Sequence, residues 1–148
     1  MPSPEHAADL EQVLTRAAKD CEGIAAWFGE GLPAALERAL DAAGRVRAEG
    51  APEVAFVDVR ELSSAAPENH GIRRVVALSD DPLSELGALA KAAEASNIPS
   101  LRLVCPFAVF DFTREGLRVR EIRRGLTAAD LQSHLDTPLW AGPDLKQL

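Results

Sequence analysis

The sequence predicts an α/β fold: a small, mostly parallel sheet flanked by helices, with two N-terminal helices and a C-terminal β-hairpin. Apolar residues recur at helical spacing over the first third of the 148-residue chain. From Glu53 onward, short β-branched runs are apolar along nearly their whole length, which is typical of strands covered on both faces. Towards the C-terminus, apolar and charged residues alternate, as in a half-exposed hairpin. We expect one domain over residues 1–148, in which residues 4–48 are helical and residues 53–148 form the sheet.

The first two helices are predicted from their apolar stripes and their start signals. Ser3 can cap a helix that begins at Pro4, and Pro33 opens the second helix. The Gly-x-Gly run at 29–31 is interpreted as a turn that does not follow a strand. The stripe of the first helix comprises Leu10, Val13, Leu14, Ala17 and Cys21, and that of the second comprises Leu36, Ala39, Leu40, Ala43 and Val46.

Three buried strands are predicted as parallel neighbours at Val54–Val59, Arg74–Leu78 and Leu101–Val104. A helix that opens at Asp81-Pro82 separates the second from the third. Such a strand–helix–strand unit joins parallel strands, because the helix returns the chain to the starting edge of the sheet.

The C-terminal part is predicted to be a hairpin followed by a short helix. Phe107–Phe112 and Leu117–Ile122 are its strands, and Gly116 can take a positive φ in the turn between them. Thr127–Asp130 has the spacing of a capping box. The residues from Pro138 onward are interpreted as a tail.

The composition excludes several function classes. A net charge of −7 disfavours binding to nucleic acid, and no apolar run approaches the ~20 residues of a membrane helix. The N-terminus lacks the apolar core of a signal peptide, so we expect a cytoplasmic protein with reduced cysteines. The three histidines lie in separate segments without metal-ligand spacing, and no phosphate-binding glycine motif is present.

Two groups of residues are candidates for a site. The loop at 67–71 brings together the Glu68 carboxylate, an amide and the His70 imidazole, which suits acid–base chemistry, although loops collect such residues anyway. Arg118 and Arg120 share one face of a strand and can bind an anion such as the nucleotide part of coenzyme A. The alternative for these arginines is a solvated hairpin face. Cys105 is interpreted as a buried structural thiol.

The aromatic residues raise the question of assembly. Trp27 and Phe28 lie in a glycine-punctuated stretch, and Trp140 lies in the tail. Exposed aromatic clusters mark interfaces, which predicts a homo-oligomer or a heteromer that uses the N-terminal helices. The alternative is that these side chains close the core.

The C-terminal third resembles the end of the β subunit of class I coenzyme A transferases. The resemblance covers residues 101–146 and rests on an ordered run of short motifs. These are Phe107-Ala108-Val109-Phe110-Asp111-Phe112, Gly116-Leu117-Arg118-Val119-Arg120-Glu121-Ile122, Gly125-Leu126-Thr127-Ala128-Ala129-Asp130-Leu131, Thr137-Pro138-Leu139 and Pro143-Asp144-Leu145.

The resemblance implies a shortened subunit that takes part in acyl-CoA chemistry with a partner chain. Coenzyme A would be a co-substrate, and no cofactor would be bound covalently. In that family a glutamate of a Ser-Glu-Asn-Gly motif forms an acyl anhydride and then an enzyme–CoA thioester. Glu68-Asn69 resembles part of this motif, with His70 where the family has glycine. The alternative is a non-catalytic interaction or assembly module that retains the fold without an active site.

Overall fold

The structure is a computed structural model that describes residues 4–19, 26–42, 44, 53–61, 74–81, 83–95, 100–113, 116–135 and 138–147. Within these residues seven strands form one sheet, and they lie in it in the order in which they occur along the chain. The strands are β1 (Ala26–Phe28), β2 (Val54–Asp58), β3 (Arg74–Leu78), β4 (Leu101–Val104), β5 (Ala108–Thr113), β6 (Gly116–Ile122) and β7 (Leu139–Gln147). The α-helices are α1 (Pro4–Ala18), α2 (Leu32–Ala42), α3 (Leu86–Ala95) and α4 (Ala128–Gln132).

The fold class is confirmed: the sheet is mostly parallel and has helices against it. Strands β1 to β4 are parallel to one another, and β2, β3 and β4 are the three predicted buried strands. Strand β5 is antiparallel to β4 and to β6, so the hairpin is confirmed as well. Thr127 caps α4 in a complete capping box with Asp130.

Three expectations were wrong. The 4–48 segment is not entirely helical, because β1 lies within it and pairs with β2. The Gly-x-Gly run at 29–31 therefore follows a strand and leads into α2. The residues after Pro138 are not a tail, because β7 pairs with β6. This strand pairs in two stretches, Leu139–Ala141 and Lys146-Gln147, with an irregularity between them.

The sheet divides the core into two layers. On the α3 face every buried side chain in the cluster is apolar, from β2 across to β6, and includes Ala55, Val57, Ala77, Leu86, Leu103, Phe110, Val119 and Leu131. On the α1–α2 face the apolar cluster is smaller and includes Val13, Leu36, Leu40, Phe56, Val76, Leu78, Val104 and Val109. Burial of both clusters supplies hydrophobic stabilisation on the two sides of the sheet.

Charged residues continue the α1–α2 face where the apolar cluster ends. Arg102 on β4 and Asp111 on β5 are cross-strand partners and form a two-pronged ion pair, with Nε–Oδ1 at 2.8 Å and Nη2–Oδ2 at 3.1 Å. Glu121 of β6 is buried and forms an ion pair with Arg16 of α1. The first pair joins β4 to the hairpin strand β5, and the second joins α1 to β6.

Candidate functional site

The carboxyl ends of the parallel strands form the candidate site, because ligands of open α/β sheets bind in crevices at that edge. Strand β1 ends at Phe28, whose ring is stacked on Phe56 at 5.3 Å between centroids. The Gly29 N–H then donates a hydrogen bond to the Phe56 carbonyl at 2.9 Å, which keeps the loop against β2. The chain enters α2 directly afterwards, so the loop at 29–31 joins a strand end to a helix start.

Gly31 sits at the tightest point of this loop. Its φ is +80°, a conformation that side chains other than glycine rarely adopt. A Cβ added there would lie 2.7 Å from the Asp58 Oδ2 atom, so the backbone and the carboxylate approach as closely as they do only because the residue is glycine. The Gly31 carbonyl accepts the first hydrogen bond of α2, from the Ala35 N–H at 3.2 Å.

Asp58 ends β2 and is 4% exposed. Its carboxylate accepts hydrogen bonds from the N–H of Leu32 at the start of α2 (3.4 Å) and from the N–H of Arg60 (3.0 Å). Burial raises the pKa of Asp58. Hydrogen bonds from the Arg60 side chain and from the two N–H groups outweigh that effect, so the pKa lies below its ordinary value. Asp58 is therefore an anion that anchors α2 and the turn after β2.

Arg60 forms an ion pair with the Asp58 carboxylate on its solvent-facing side. Its Nε donates to Oδ1 at 3.1 Å and its Nη2 to Oδ2 at 3.2 Å, while 71% of its side chain is exposed. The hydrogen bond and the charge of Asp58 raise the pKa of Arg60, with smaller contributions from Asp80 and Asp81 after β3. The arginine thus stands among three carboxylates at the edge of the sheet.

A cavity of about 440 Å³ opens beside these groups. Its volume lies within the range of ~300–1,000 Å³ that is typical of small-molecule pockets. Its walls come from β1, the loop, α2 and the end of β2: Trp27, Phe28, Gly29, Glu30, Ala34, Glu37, Val57 and Asp58. Trp27 is 37% exposed, so part of its ring is accessible.

Of the site residues predicted from the sequence, the structure describes Arg118 and Arg120, and neither lines this cavity. Glu68 and His70 lie outside the described residues. Arg118 and Arg120 lie on β6, four strands from β2 in the sheet order. Arg118 is in register with Asp111, and the Arg120 Nε lies 3.6 Å from the Asp111 Oδ2 atom, so both arginines belong to the charged part of the α1–α2 face.

Cys105 is a free thiol that is 1% exposed, as expected for a structural cysteine, and burial raises its pKa further above the ordinary value. A thiol with a raised pKa is a poor nucleophile.

Among the residues that the structure describes, no group of three or more His, Cys, Asp or Glu side chains is arranged to hold a metal ion. The described part of the chain also contains no helix that is long and apolar enough to cross a membrane.

The sequence analysis missed Asp58, Arg60 and the loop at 29–31. Asp58 was included in a run of apolar residues and was counted as part of a strand, not as a site. One signal pointed to the loop: Gly29-Glu30-Gly31 is followed directly by Leu32-Pro33, and proline is favoured in the first turn of a helix. If a strand had been predicted directly before that helix, the loop at 29–31 would have been expected at the carboxyl edge of the sheet.

Solved structures with the same architecture are known. The acyl-CoA transferase YdiF of Escherichia coli O157:H7 superposes with a TM-score of 0.60 at 13% identity, over 94% of this chain and 43% of the transferase chain. The fold is shared with an acyl-CoA transferase. The decarboxylase AibA/AibB superposes with a TM-score of 0.62 at 11% identity, over 94% of this chain and 88% of that chain.

A further structure of the same transferase, a thioester complex with CoA, superposes with a TM-score of 0.58 at 14% identity. The chain thus spans less than half of the transferase chain but nearly the whole of the matched decarboxylase chain. No protein-family model matches the sequence, and no curated protein matches it either. At these identities the likeness concerns the fold.

Proposed function

We propose that the chain is a CoA-transferase-like subunit that takes part in acyl-CoA chemistry, by CoA transfer or a derived reaction, together with a partner chain in the cytoplasm. The observation that carries the proposal is the cavity at the carboxyl edge of a sheet whose architecture is shared with an acyl-CoA transferase. The proposal treats residues 1–148 as one CoA-transferase-like domain, in which residues 101–146 resemble the C-terminal part of a class I β subunit.

In this proposal the cavity holds the acyl end of the substrate. The loop at 29–31 and the anchored Asp58 keep its wall rigid, because four hydrogen bonds hold the carboxylate in place. Glu68 is the proposed nucleophile and His70 a proposed acid–base group. Arg118 and Arg120 are the proposed contacts for the anionic nucleotide part of coenzyme A, for which guanidinium groups are well suited.

A partner chain is part of the proposal because of two facts about the structural neighbours. The acyl-CoA transferase neighbour is more than twice as long as the region it shares with this chain. The second neighbour, AibA/AibB, is named for two components. Both facts support a reaction centre that a second chain completes, in a heteromer or a homo-oligomer.

Tryptophan fluorescence tests whether the cavity binds acyl-CoA. The chain has two tryptophans, so Trp140→Phe leaves Trp27 at the cavity as the single reporter. We expect acetyl-CoA and longer acyl-CoA thioesters to change its emission with saturation. The second variant is Trp27→Phe, whose remaining Trp140 on β7 is in register with Arg118 and therefore reports on the proposed nucleotide contact instead of the cavity. Titration of both variants with coenzyme A alone is the control that separates the two signals. Absence of saturation in Trp140→Phe, together with no heat of binding by calorimetry, would contradict the proposal.

The second candidate function is a non-catalytic interaction or assembly module. It is favoured by two exposed tryptophans, Trp27 at 37% and Trp140 at 65%, which lie on opposite edge strands of the sheet. Intact-mass spectrometry after incubation with an acyl-CoA separates the two functions. We expect no CoA-sized addition on the isolated chain, and an addition at Glu68 that hydroxylamine removes once a catalytic partner is present. No addition under either condition, with no effect of Glu68→Ala, favours the module.

A further inference from the structure

We infer that β1 is the contact through which two copies of this chain join. The open edge of one β1 pairs antiparallel with the same edge of the other, and the two Trp27 side chains meet on the twofold axis. The inference goes beyond the proposed function, which leaves the partner open between a different chain and a second copy, and it does not depend on acyl-CoA binding.

The first observation is the direction of the backbone groups of β1. The Gly29 N–H donates a hydrogen bond to the Phe56 carbonyl of β2. Because successive residues of a strand direct their N–H and C=O groups to opposite sides, Trp27 faces β2 as Gly29 does, whereas Ala26 and Phe28 face away from it. Strand β1 is first in the sheet order, so no described strand pairs with that outer side. Two residues of β1 therefore present backbone groups to a further strand.

The second observation is a difference between the two edge strands. Proteins commonly protect an open sheet edge with proline, with lysine or with an irregularity in the strand. Strand β7 contains Pro143 and Lys146, and its pairing with β6 is irregular. Strand β1 consists of Ala26-Trp27-Phe28, without a charge or a proline, and its pairing with β2 is regular. Of the two edges, β1 is the one whose composition favours pairing with another chain.

The outer side of β1 is complementary to a second copy of itself. In an antiparallel pairing centred on Trp27, Ala26 of each copy lies opposite Phe28 of the other, and these are the residues that face outward. Each such pair exchanges two main-chain hydrogen bonds. Trp27 then forms a non-hydrogen-bonded pair with its equivalent, in which the Cα atoms are only ~4.5 Å apart. Its side chain is 37% exposed in the single chain, so pairing covers apolar surface that the fold leaves accessible.

The third observation is the position of the cavity. It is lined by both Trp27 and Phe28. Trp27 is in register with Ala55 of the α3-face cluster and Phe28 with Phe56 of the α1–α2-face cluster, so the two side chains leave the strand on opposite faces. A cavity that both residues line reaches the open edge of the sheet. In the dimer the β1 strand of the second copy lies along this opening, so the second copy contributes to the wall of the candidate site.

Charge and size determine how stable this dimer is. Each copy has a net charge of −7, so the copies repel at low salt. Glu30 follows β1 closely, but at ~3.3 Å per residue the Glu30 backbones of the two copies lie ~20 Å apart, more than two Debye lengths at physiological salt. A contact of three residues per copy buries less than the ~1,200 Å² of a permanent interface. We therefore expect a reversible dimer that dissociates at micromolar concentrations and becomes tighter as salt is added.

A disulfide tests the register of the pairing. Trp27→Cys places two thiols on the axis, where a Cα separation of ~4.5 Å lies within the range of disulfides. Trp140→Cys is the matched control, because Trp140 is 65% exposed and lies on the other edge strand. Both are made in a chain with Cys21→Ser, in which the remaining Cys105 is buried.

Mild oxidation should convert more than half of Trp27→Cys to a covalent dimer and less than a tenth of Trp140→Cys, as measured by non-reducing mass spectrometry. Circular dichroism checks that both variants are folded. Equal conversion of the two variants, or no dimer from folded Trp27→Cys, overturns the inference.

Sedimentation equilibrium of the unmodified chain measures the dimer itself. We expect a monomer–dimer equilibrium whose Kd falls at least threefold when NaCl is raised tenfold. Ala26→Pro removes one outward N–H and leaves the groups that face β2, and proline is tolerated at the first residue of a strand. It should raise the Kd at least tenfold, whereas Ala26→Ser, the matched control, keeps the N–H and the affinity. A monomer at every concentration, or equal Kd values for two folded Ala26 variants, overturns the inference.

These experiments contain no coenzyme A, so their outcome is independent of the proposed function. A dimer through β1 that binds no acyl-CoA overturns the proposed function and leaves this inference intact. Acyl-CoA binding by a chain that stays monomeric overturns this inference and leaves the proposed function intact.

Discussion

The two faces of the sheet differ in how far their apolar cover extends. On the α3 face the apolar layer runs without a charged residue from β2 to β6. On the α1–α2 face it ends at Val104 and Val109, and Arg102, Asp111 and Glu121 continue the same face. At the opposite end of this face, β2 also ends in a charge, Asp58. The buried cluster of the α3 face is apolar throughout, whereas the cluster of the other face is bordered by ion pairs at both ends.

This difference teaches where the sheet tolerates polar groups. Buried polar groups remain stable only when they have hydrogen-bond partners. Asp58 has four such hydrogen bonds, and Asp111 shares two with Arg102. The buried cluster of the α3 face consists of apolar side chains, which cannot donate hydrogen bonds to a carboxylate. A charged side chain introduced there, or into the apolar centre of the other face, would therefore be buried without a hydrogen-bond partner.

The largest effect should come from a charge in the middle of the α1–α2 face. Val76 is 0% exposed at the centre of β3. Val76→Asp buries a carboxylate without partners, which costs several kcal/mol out of a total stability of about 5–15 kcal/mol, so we expect the domain to unfold. Far-ultraviolet circular dichroism and urea melts check this. The control is Ala39→Asp, exposed on α2 of the same layer, which should stay folded; a native melt for Val76→Asp would contradict the prediction.

A smaller effect should follow from breaking the ion pair on the same face. Asp111→Leu removes the carboxylate that accepts two hydrogen bonds from Arg102, whose side chain is 13% exposed. Removal of one partner from a buried pair destabilises by about 3 kcal/mol. The double variant Arg102→Leu/Asp111→Leu should recover most of this loss, because apolar replacement of a buried pair is often neutral. If Asp111→Leu changes the urea midpoint no more than a surface substitution does, the pair does not stabilise this face.

The smallest of the three effects concerns Asp58 and depends on pH. The folded-state pKa of Asp58 lies below its ordinary value of 3.8. Its contribution to stability is therefore complete above that value and is lost as the pH falls through the lower, folded-state pKa. Asp58→Asn should destabilise by about 1–2 kcal/mol at neutral pH, because solvent screens the exposed Arg60.

The same variant should also flatten the acid limb of the stability profile. Urea unfolding between neutral and strongly acidic pH measures this, with Glu11→Gln as the control on exposed helix surface. An acid limb of unchanged slope in Asp58→Asn would mean that other carboxylates carry the pH dependence.

Much of the fold could be predicted because the apolar pattern reports burial. Strands β2, β3 and β4 are mostly apolar and lie between two layers, and β6 alternates because one of its faces carries arginines. Strand β1 could not be predicted, since three residues next to glycines carry no period. Strand β7 could not be predicted either, because Gly142 and Pro143 interrupt it and tertiary pairing with β6 overrides local preference.

The candidate site could be predicted far less well than the fold. The cavity exists because β1 lies beside β2, which brings Trp27 and Asp58 to one crevice although they are far apart in the sequence. Which strands lie next to each other is decided when the sheet forms, and it leaves no pattern in the local sequence of either strand. Arg118 and Arg120 were singled out as an anion contact, and the structure shows them beside Asp111, which their spacing alone could not indicate.

The order of the strands in the sheet has a consequence for how the chain folds. Each described strand pairs with the strand that precedes it along the chain, from β1 to β7, and none is inserted between two earlier ones. Each pairing step among β1 to β4 therefore closes a loop of about 20–30 residues, which keeps the loop-closure entropy of each step small. During synthesis the sheet can grow at one edge as each strand emerges, with β1 and β2 as its starting template.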